Sequence, residues 1–265
     1  IKKEKSHIRR LNMDQNYKEN IPRIQGTLRA HSIELPESIW KAPGMIVLGR
    51  RIKSILFSTD VAIIRNCNAD AVLAVYPFTP QQVISDAIIK VSSIPVFVGV
   101  GGGTTKGIRS ANIAQDAEAQ GAYGVVVNSP MSNTNISLIK RVIDIPIIVT
   151  VINEEEVEER LKAGASILNV ANGKNTPETV RRIRKNFPDV PIIASGGKTD
   201  ESILETIEAG ANAITYTPPS NGEIFSKMMH EYRNEKTKNP EFTFETLDSK
   251  KDEIDLLLKI LYQSH

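Results

Sequence analysis

The chain has 265 residues, 40% of them hydrophobic and 24% charged, which is enough to bury a full core as one large domain. Its 33 basic and 31 acidic residues leave a formal charge of +2, so no global field points to nucleic acid or to a membrane surface. The single cysteine, Cys67, excludes an internal disulfide framework, and the lack of a long apolar run or secretion-type leader reads as a cytoplasmic protein.

Residues 1–51 are expected to form an N-terminal extension. Positions 1–30 are polar and basic, with Lys2, Lys3, Arg9, Arg10, Arg23 and Arg29 among them and no clean apolar period. Such a run is a solvated tail or a face for an acidic partner. Trp40, between Pro36 and Pro43, is expected to pack against the domain that follows.

From residue 52 to 238 short runs rich in Val, Ile and Ala alternate with helical segments. Strands are predicted at Lys53–Phe57, Ala71–Val75, Pro95–Val100, Gly124–Asn128, Pro146–Val151, Ile167–Val170, Pro191–Ala194 and Ala213–Thr217. Helix starts carry capping signatures: Thr79-Pro80, Thr176-Pro177, Thr199 before Asp200, and Asn153 before Glu154, Glu155 and Glu156. An internal repeat supports the reading. Three strands are entered through Ile94-Pro95, Ile145-Pro146 and Val190-Pro191, and the strands that follow them come after Gly121-Ala122, Gly164-Ala165 and Gly210-Ala211. The unit is two strands and two helices, about 45 residues, and four such units close a ring of parallel strands. The fold class is therefore α/β, a single (β/α)8 barrel with an N-terminal extension and an extra C-terminal helix; a doubly wound open sheet is the competing topology. Glu223 to Lys236 reads as the last barrel helix. In the tail, 239–265, Ile254, Leu257, Leu258 and Leu261 recur at helical spacing, so this segment is expected to pack on the barrel or across a homodimer.

In such a barrel the chemistry lies where the strands end. The candidates there are Ser58, Thr59 and Asp60; Tyr76; Gly101, Gly102 and Gly103; Asn128; Thr150 and Asn153; Asn169, Asn172 and Lys174; Ser195, Gly196, Gly197 and Lys198; and Thr217 and Ser220. Asp60 is the clearest carboxylate, a base or an orienting group, with capping of the helix at Val61 as the equal alternative. Lys174 and Lys198, with Lys106, could hold an anion or stabilise a developing oxyanion. The run Gly99 to Lys106 fails both dinucleotide and P-loop spacing and reads as a βα loop where backbone approaches a ligand. The four histidines, His7, His31, His230 and His265, all lie away from strand ends, so no metal cluster and no Ser/His/Asp set can be assembled.

The stretch Ile192-Ile193-Ala194-Ser195-Gly196-Gly197, then a helix ending Glu208-Ala209-Gly210-Ala211 and a strand, resembles the phosphate-binding quarter of the ribulose-phosphate-binding and aldolase-type TIM barrels. The resemblance implies a phosphate held by Ser195, Gly196 and Gly197 on one side and by Ser220, Asn221 and Gly222 on the other. It departs from the family at Thr217-Pro218-Pro219-Ser220, where two prolines remove two N–H donors. The same Ala-Ser-Gly-Gly pattern resembles flavin-dependent barrels of the nitronate monooxygenase type, where it holds the phosphate of FMN. The expected protein is an enzyme of lyase, aldolase or isomerase type on a small phosphorylated metabolite, with Asp60, Lys174 and Lys198 catalytic and Tyr76, Asn128, Asn169, Asn172 and the Ser195–Gly197 turn holding substrate. That reading requires no cofactor. The alternatives are an FMN oxidoreductase and a catalytically silent ligand-binding barrel.

Overall fold

The structure, a computed structural model, describes residues 33–238; the basic run at 1–30 and the amphipathic tail at 239–265 lie outside the described residues. It opens with a short 3-10 helix, Glu37–Lys41, and a hairpin of two three-residue strands, β1 Met45–Val47 and β2 Arg50–Ile52. Leu48 and Gly49 turn the hairpin with φ of 45° and 81°. That is the two-residue turn whose twist matches paired strands, although Leu is a strained choice for it.

Eight parallel strands then close a barrel: β3 Ser54–Phe57, β4 Ala71–Ala74, β5 Val96–Gly101, β6 Gly124–Val127, β7 Ile147–Val151, β8 Ile167–Val170, β9 Ile192–Ser195 and β10 Ala213–Tyr216, with β10 pairing back onto β3. Helices follow each: α1 Val61–Arg65, α2 Gln82–Val91, α3 Ile108–Ala119, α4 Asn133–Lys140, α5 Val157–Ala163, α6 Thr176–Asn186, α7 Asp200–Glu208 and α8 Asn221–Lys238. All eight predicted strands are present. Alternate residues divide between two cores. Ile55, Leu73, Phe97, Val126, Ile148 and Ile193 fill the interior, while Leu56, Val72, Val98, Leu168, Ile192 and Ile214 lie under the helices. Each such burial stabilises the fold by about 1.5–3 kcal/mol. Met45, Val47 and Ile52 join the interior cluster and stopper the amino-terminal end, and the Gly44 N–H ties the hairpin to Asn212 O at the foot of β10.

The repeat seen in the sequence has a physical basis at this same end. Gly121, Gly164 and Gly210 stop their helices with φ of 96°, 117° and 111°. The Glu118 carboxylate then accepts from Asp144 N and Ile145 N ahead of β7, and the Arg184 guanidinium donates to Gly210 O, Pro188 O and Val190 O ahead of β9 and β10. Burial lowers the pKa of Arg184 from its ordinary value.

Three expectations are corrected. The Thr79-Pro80 signature does not start a helix; α2 begins at Gln82, because Tyr76 Oη accepts the Gln81 N–H and holds the chain extended for two residues more. The acidic run after Asn153 forms a turn, with Asn153 Oδ1 accepting from Glu156 N and Glu156 Oε1 accepting from Ile152 N, so α5 starts only at Val157. The third concerns the last helix. Residues 221–238 are helical as expected, yet of α8 only Ile224 is half-buried among residues 221–230, and Phe225, Met228 and Met229 are exposed. The place between α7 and α1 is taken by the segment before the hairpin. Leu35 and Ile39 are buried there in the cluster that holds Leu56, Ile63, Ile203 and Ile214, Leu35 N donates to Asn68 Oδ1 beyond α1, and Ser38 Oγ donates to Asp200 Oδ1 at the start of α7. Trp40 is half-buried in the same 3-10 helix, and its carbonyl accepts from Lys53 Nζ. Cys67 bridges to Ile33 in parallel fashion beside this segment; burial pushes its thiol pKa up, which fits a packing role.

Candidate active site at the carboxyl end of the barrel

A cavity of about 900 Å³ opens where the strands end. Its floor is the topmost inward layer of side chains, and strand parity determines which residues those are. In β7 to β10 the inward positions above Ile148, Ile167, Ile193 and Ala213 are Thr150, Asn169, Ser195 and Thr215. They form a neutral hydrogen-bonding collar, with Asn128 beyond β6 continuing it. Thr150 and Asn169 are register partners, and Asn169 Nδ2 donates to Thr150 Oγ1 at 3.2 Å. On the β3 and β4 side the same parity delivers Phe57, Leu73 and Val75, with Tyr76 and Pro77 above them. The inward layer is therefore polar on β7 to β10 and apolar on β3 and β4, with Ser58, Thr59 and Asp60 on the rim above β3.

Asp60 lines the cavity, and each of its carboxylate oxygens already holds a partner. Its Oδ1 accepts from Ala62 N and Ile63 N, which makes it the N-cap of α1, and its Oδ2 accepts from Asn221 Nδ2 at 2.5 Å. The capping alternative describes its local role, and the bond to Asn221 extends that role across to the loop after β10. Tyr76, Asn128, Asn169, Ser195 and Ser220 also line the cavity. Asn172, Lys174, Gly196, Gly197 and Lys198 are outside its lining. Asn172 turns to Thr179 Oγ1 on α6, and Lys174 is exposed on the 3-10 helix Gly173–Asn175.

The glycine turn after β9 has packing reasons of its own. A Cβ on Gly196 would lie 2.6 Å from Ile214 and 2.9 Å from Ile203, and Gly197 has φ +80° with Ser202 against it. Ser202 Oγ donates to Gly196 O, and Thr199 caps α7 as expected, in a box with Ser202. Among the described residues, the backbone N–H groups of Gly196, Gly197 and Lys198 donate to no protein acceptor. The opposite rim, at the start of α8, is closed upon itself. Glu223 Oε2 accepts from Ser220 N and Ser220 Oγ, each at 2.7 Å, while Glu223 N donates to Ser220 Oγ. This is a capping box, legible in Ser220-x-x-Glu223, and it supplies an internal anion to that helix end. The Ser220 N–H first, then its hydroxyl and the charge of Lys198, hold the Glu223 carboxyl below its ordinary pKa. Lys198 thus faces Glu223 across the two loops. A depressed carboxylate stabilises above its ordinary pKa, and that contribution is lost as pH falls through the lowered value. On acidification the Ser220 amide resonance is expected to move with a midpoint below that of a free glutamate, and a midpoint at the free value would refute the capping role.

Beside the main cavity lies a smaller one of about 260 Å³ between Tyr76–Pro80 and Gly101–Thr105, sharing Val75, Tyr76, Pro77 and Asn128 with it. The glycine-rich loop is held by Gly102 N on Thr105 O and by Asn128 N on Gly101 O. Among the described residues, no three His, Cys, Asp or Glu side chains stand together as a metal site, and no helix is long and apolar enough to cross a membrane. Sequence reasoning missed Glu223, Thr215 and the apolar half of the wall.

No protein-family model matches the chain. A 66-residue stretch is 32% identical to an inosine-5'-monophosphate dehydrogenase of Pasteurella multocida (strain Pm70); it covers 23% of this chain, and the chain spans only 14% of that enzyme's length. Among solved structures, a phosphoenolpyruvate phosphomutase from Streptomyces platensis subsp. rosaceus superposes with a TM-score of 0.56 at 12% identity, covering 86% of this chain and 95% of its own. A mandelate oxidase superposes with a TM-score of 0.53 at 12% identity, covering 66% and 69%. The chain has the TIM-barrel fold of these two solved structures. A phosphomutase and an oxidase on one fold show that the fold alone does not select the reaction.

Proposed function

We propose that this barrel is an enzyme of lyase or isomerase type that binds a small phosphorylated molecule at its carboxyl-terminal mouth. The observation that carries the reading is the turn after β9: three successive backbone N–H groups, at Gly196, Gly197 and Lys198, stand without a protein acceptor next to the cavity-lining Ser195, and the turn carries the positive charge of Lys198, which is felt at Glu223 on the opposite loop. Successive unpaired backbone donors and a cation in one turn at a strand end are the elements of an anion cradle. The Ser220 side is already neutralised by Glu223, so the phosphate rests on the β9 turn. Asn128 and Asn169 hydrogen-bond the remainder of the molecule. Asp60, anchored by α1 and by Asn221, orients it. Asn172 and Lys174 have no part in this arrangement.

Thermal unfolding with inorganic phosphate, sugar phosphates and FMN tests the reading. A ligand at about a hundred times its dissociation constant adds roughly 2.7 kcal/mol, which raises the midpoint by about 5–10 °C. A sugar phosphate is expected to do so, and Lys198→Ala is expected to weaken its binding by roughly tenfold through loss of a charge-assisted contact. A shift by FMN with none by sugar phosphates would replace this reading with a flavin enzyme. Binding without turnover of any phosphorylated compound would leave a ligand-binding barrel.

A further inference from the structure

We infer that the part of the ligand lying beyond the phosphate is uncharged and two-faced, with an apolar side and a side of neutral hydrogen-bonding groups. The inference rests on the phosphorylated-ligand reading for the position of the anion, and on different residues for everything else. The cavity lining contains no Lys, Arg or His, and its charged members are Asp60 and Glu223, both carboxylates. A second anion on the ligand, a carboxylate above all, would enter without a cation to meet it and with two like charges at the rim. Desolvating such a group is heavily disfavoured.

The polar collar specifies what is welcome instead. Asn169 is 8% exposed yet reaches the cavity, and its amide has one protein partner there, Thr150. Thr215 lines the same cavity, but its Oγ1 is shut off from solvent and so from a ligand, which leaves the amide of Asn169 and the neighbouring hydroxyls as the groups the collar offers. Across the cavity the side chains of Phe57 and Val75, over the buried Leu73, offer nothing to a polar group, and the exposed surface of Phe57 and Val75 gains from contact with a flat or aliphatic surface, below the rim residues Ser58 and Thr59. The orientation follows: phosphate over the β9 turn, neutral polar groups along β7 to β10, apolar face on β3 and β4.

Two phosphate esters with the same ring test this, 4-(hydroxymethyl)phenyl phosphate and 4-carboxyphenyl phosphate, titrated calorimetrically against the protein alongside inorganic phosphate and unphosphorylated 4-hydroxybenzyl alcohol. The hydroxymethyl ester is expected to bind at least about tenfold more tightly than the carboxy ester. Asn169→Leu, which keeps the volume and removes the amide, is expected to weaken the hydroxymethyl ester by roughly five- to tenfold and to leave inorganic phosphate unchanged. Equal or tighter binding of the carboxy ester overturns the inference while leaving the phosphate reading in place. Binding of the unphosphorylated alcohol as tightly as its ester overturns the phosphate reading and leaves the two-faced cavity standing. No binding by any of the four overturns both.

Discussion

Replacing Arg160 by alanine is expected to lower the stability of the barrel by about 3–5 kcal/mol. The side chain is 10% exposed and forms the knot of the loop between β6 and α4. Its Nη1 donates to Met131 O and to Asn133 Oδ1, its Nη2 donates to Ser129 O at 2.7 Å, and both Nε and Nη2 reach Glu156 Oε2. Truncation strands the buried Met131 carbonyl together with the half-buried Ser129 carbonyl and Glu156 carboxylate, the first at the full cost of an unsatisfied buried group. The loss has a functional direction too. Met131 N donates to Asn128 O, so the loop that Arg160 pins is the one that sets Asn128 in the collar. Denaturant unfolding and ligand titration of Arg160→Ala should therefore fail together, and Arg160→Lys, which cannot reproduce the fork, should recover only part of either. A loss below about 1 kcal/mol would mean that water replaces the guanidinium without strain, contrary to its burial.

The second large effect concerns the position between α7 and α1. Ile39, with no exposed surface, is expected to cost about 2–5 kcal/mol when cut to alanine, because the core cluster that buries it, with Leu56, Ile63 and Ile214, is built of rigid barrel elements that cannot collapse around the gap. Phe225→Ala, on a helix that in an ordinary barrel would fill that position, is expected to change stability by less than about 0.5 kcal/mol, since Phe225 is 68% exposed. Paired denaturant titrations decide the matter. A larger loss at Phe225 than at Ile39 would show that α8, and not the segment at 35–41, completes the barrel in solution.

The barrel itself was legible because its signals are local and repeated. Each strand is a short apolar run, and three of the helices stop at a glycine whose backbone sits in the left-handed region, Gly121, Gly164 and Gly210. The substitution at the eighth helix position was not legible, since nothing local in Leu35–Lys41 distinguishes a segment that docks from one that trails. The hairpin escaped for a related reason: its strands are three residues long, and its turn uses Leu48 where Asn or Gly would announce it. Within the site, the collar residues Thr150, Asn169 and Ser195 were legible as polar residues leaving strands. Phe57, Leu73 and Val75 look like any core residue in the sequence; only ring closure shows that they reach the mouth. Asp60 illustrates the limit from the other side, as a carboxylate at a strand end followed by a helix serves a cap and a cavity equally well.

The hairpin at Met45–Ile52 carries one more consequence, in the order of events at the opposite end. With Met45, Val47 and Ile52 packed into the interior cluster, the barrel is a vessel with one opening. Whatever settles deepest, against Asn169 and Thr215, must depart along the path by which it arrived, past anything bound above it. For a reaction involving two molecules or yielding two, this geometry imposes a sequence: the inner one binds first and leaves last, and an excess of the outer one traps it. Dissociation of a collar-bound ligand should slow as phosphate occupies the β9 turn above it.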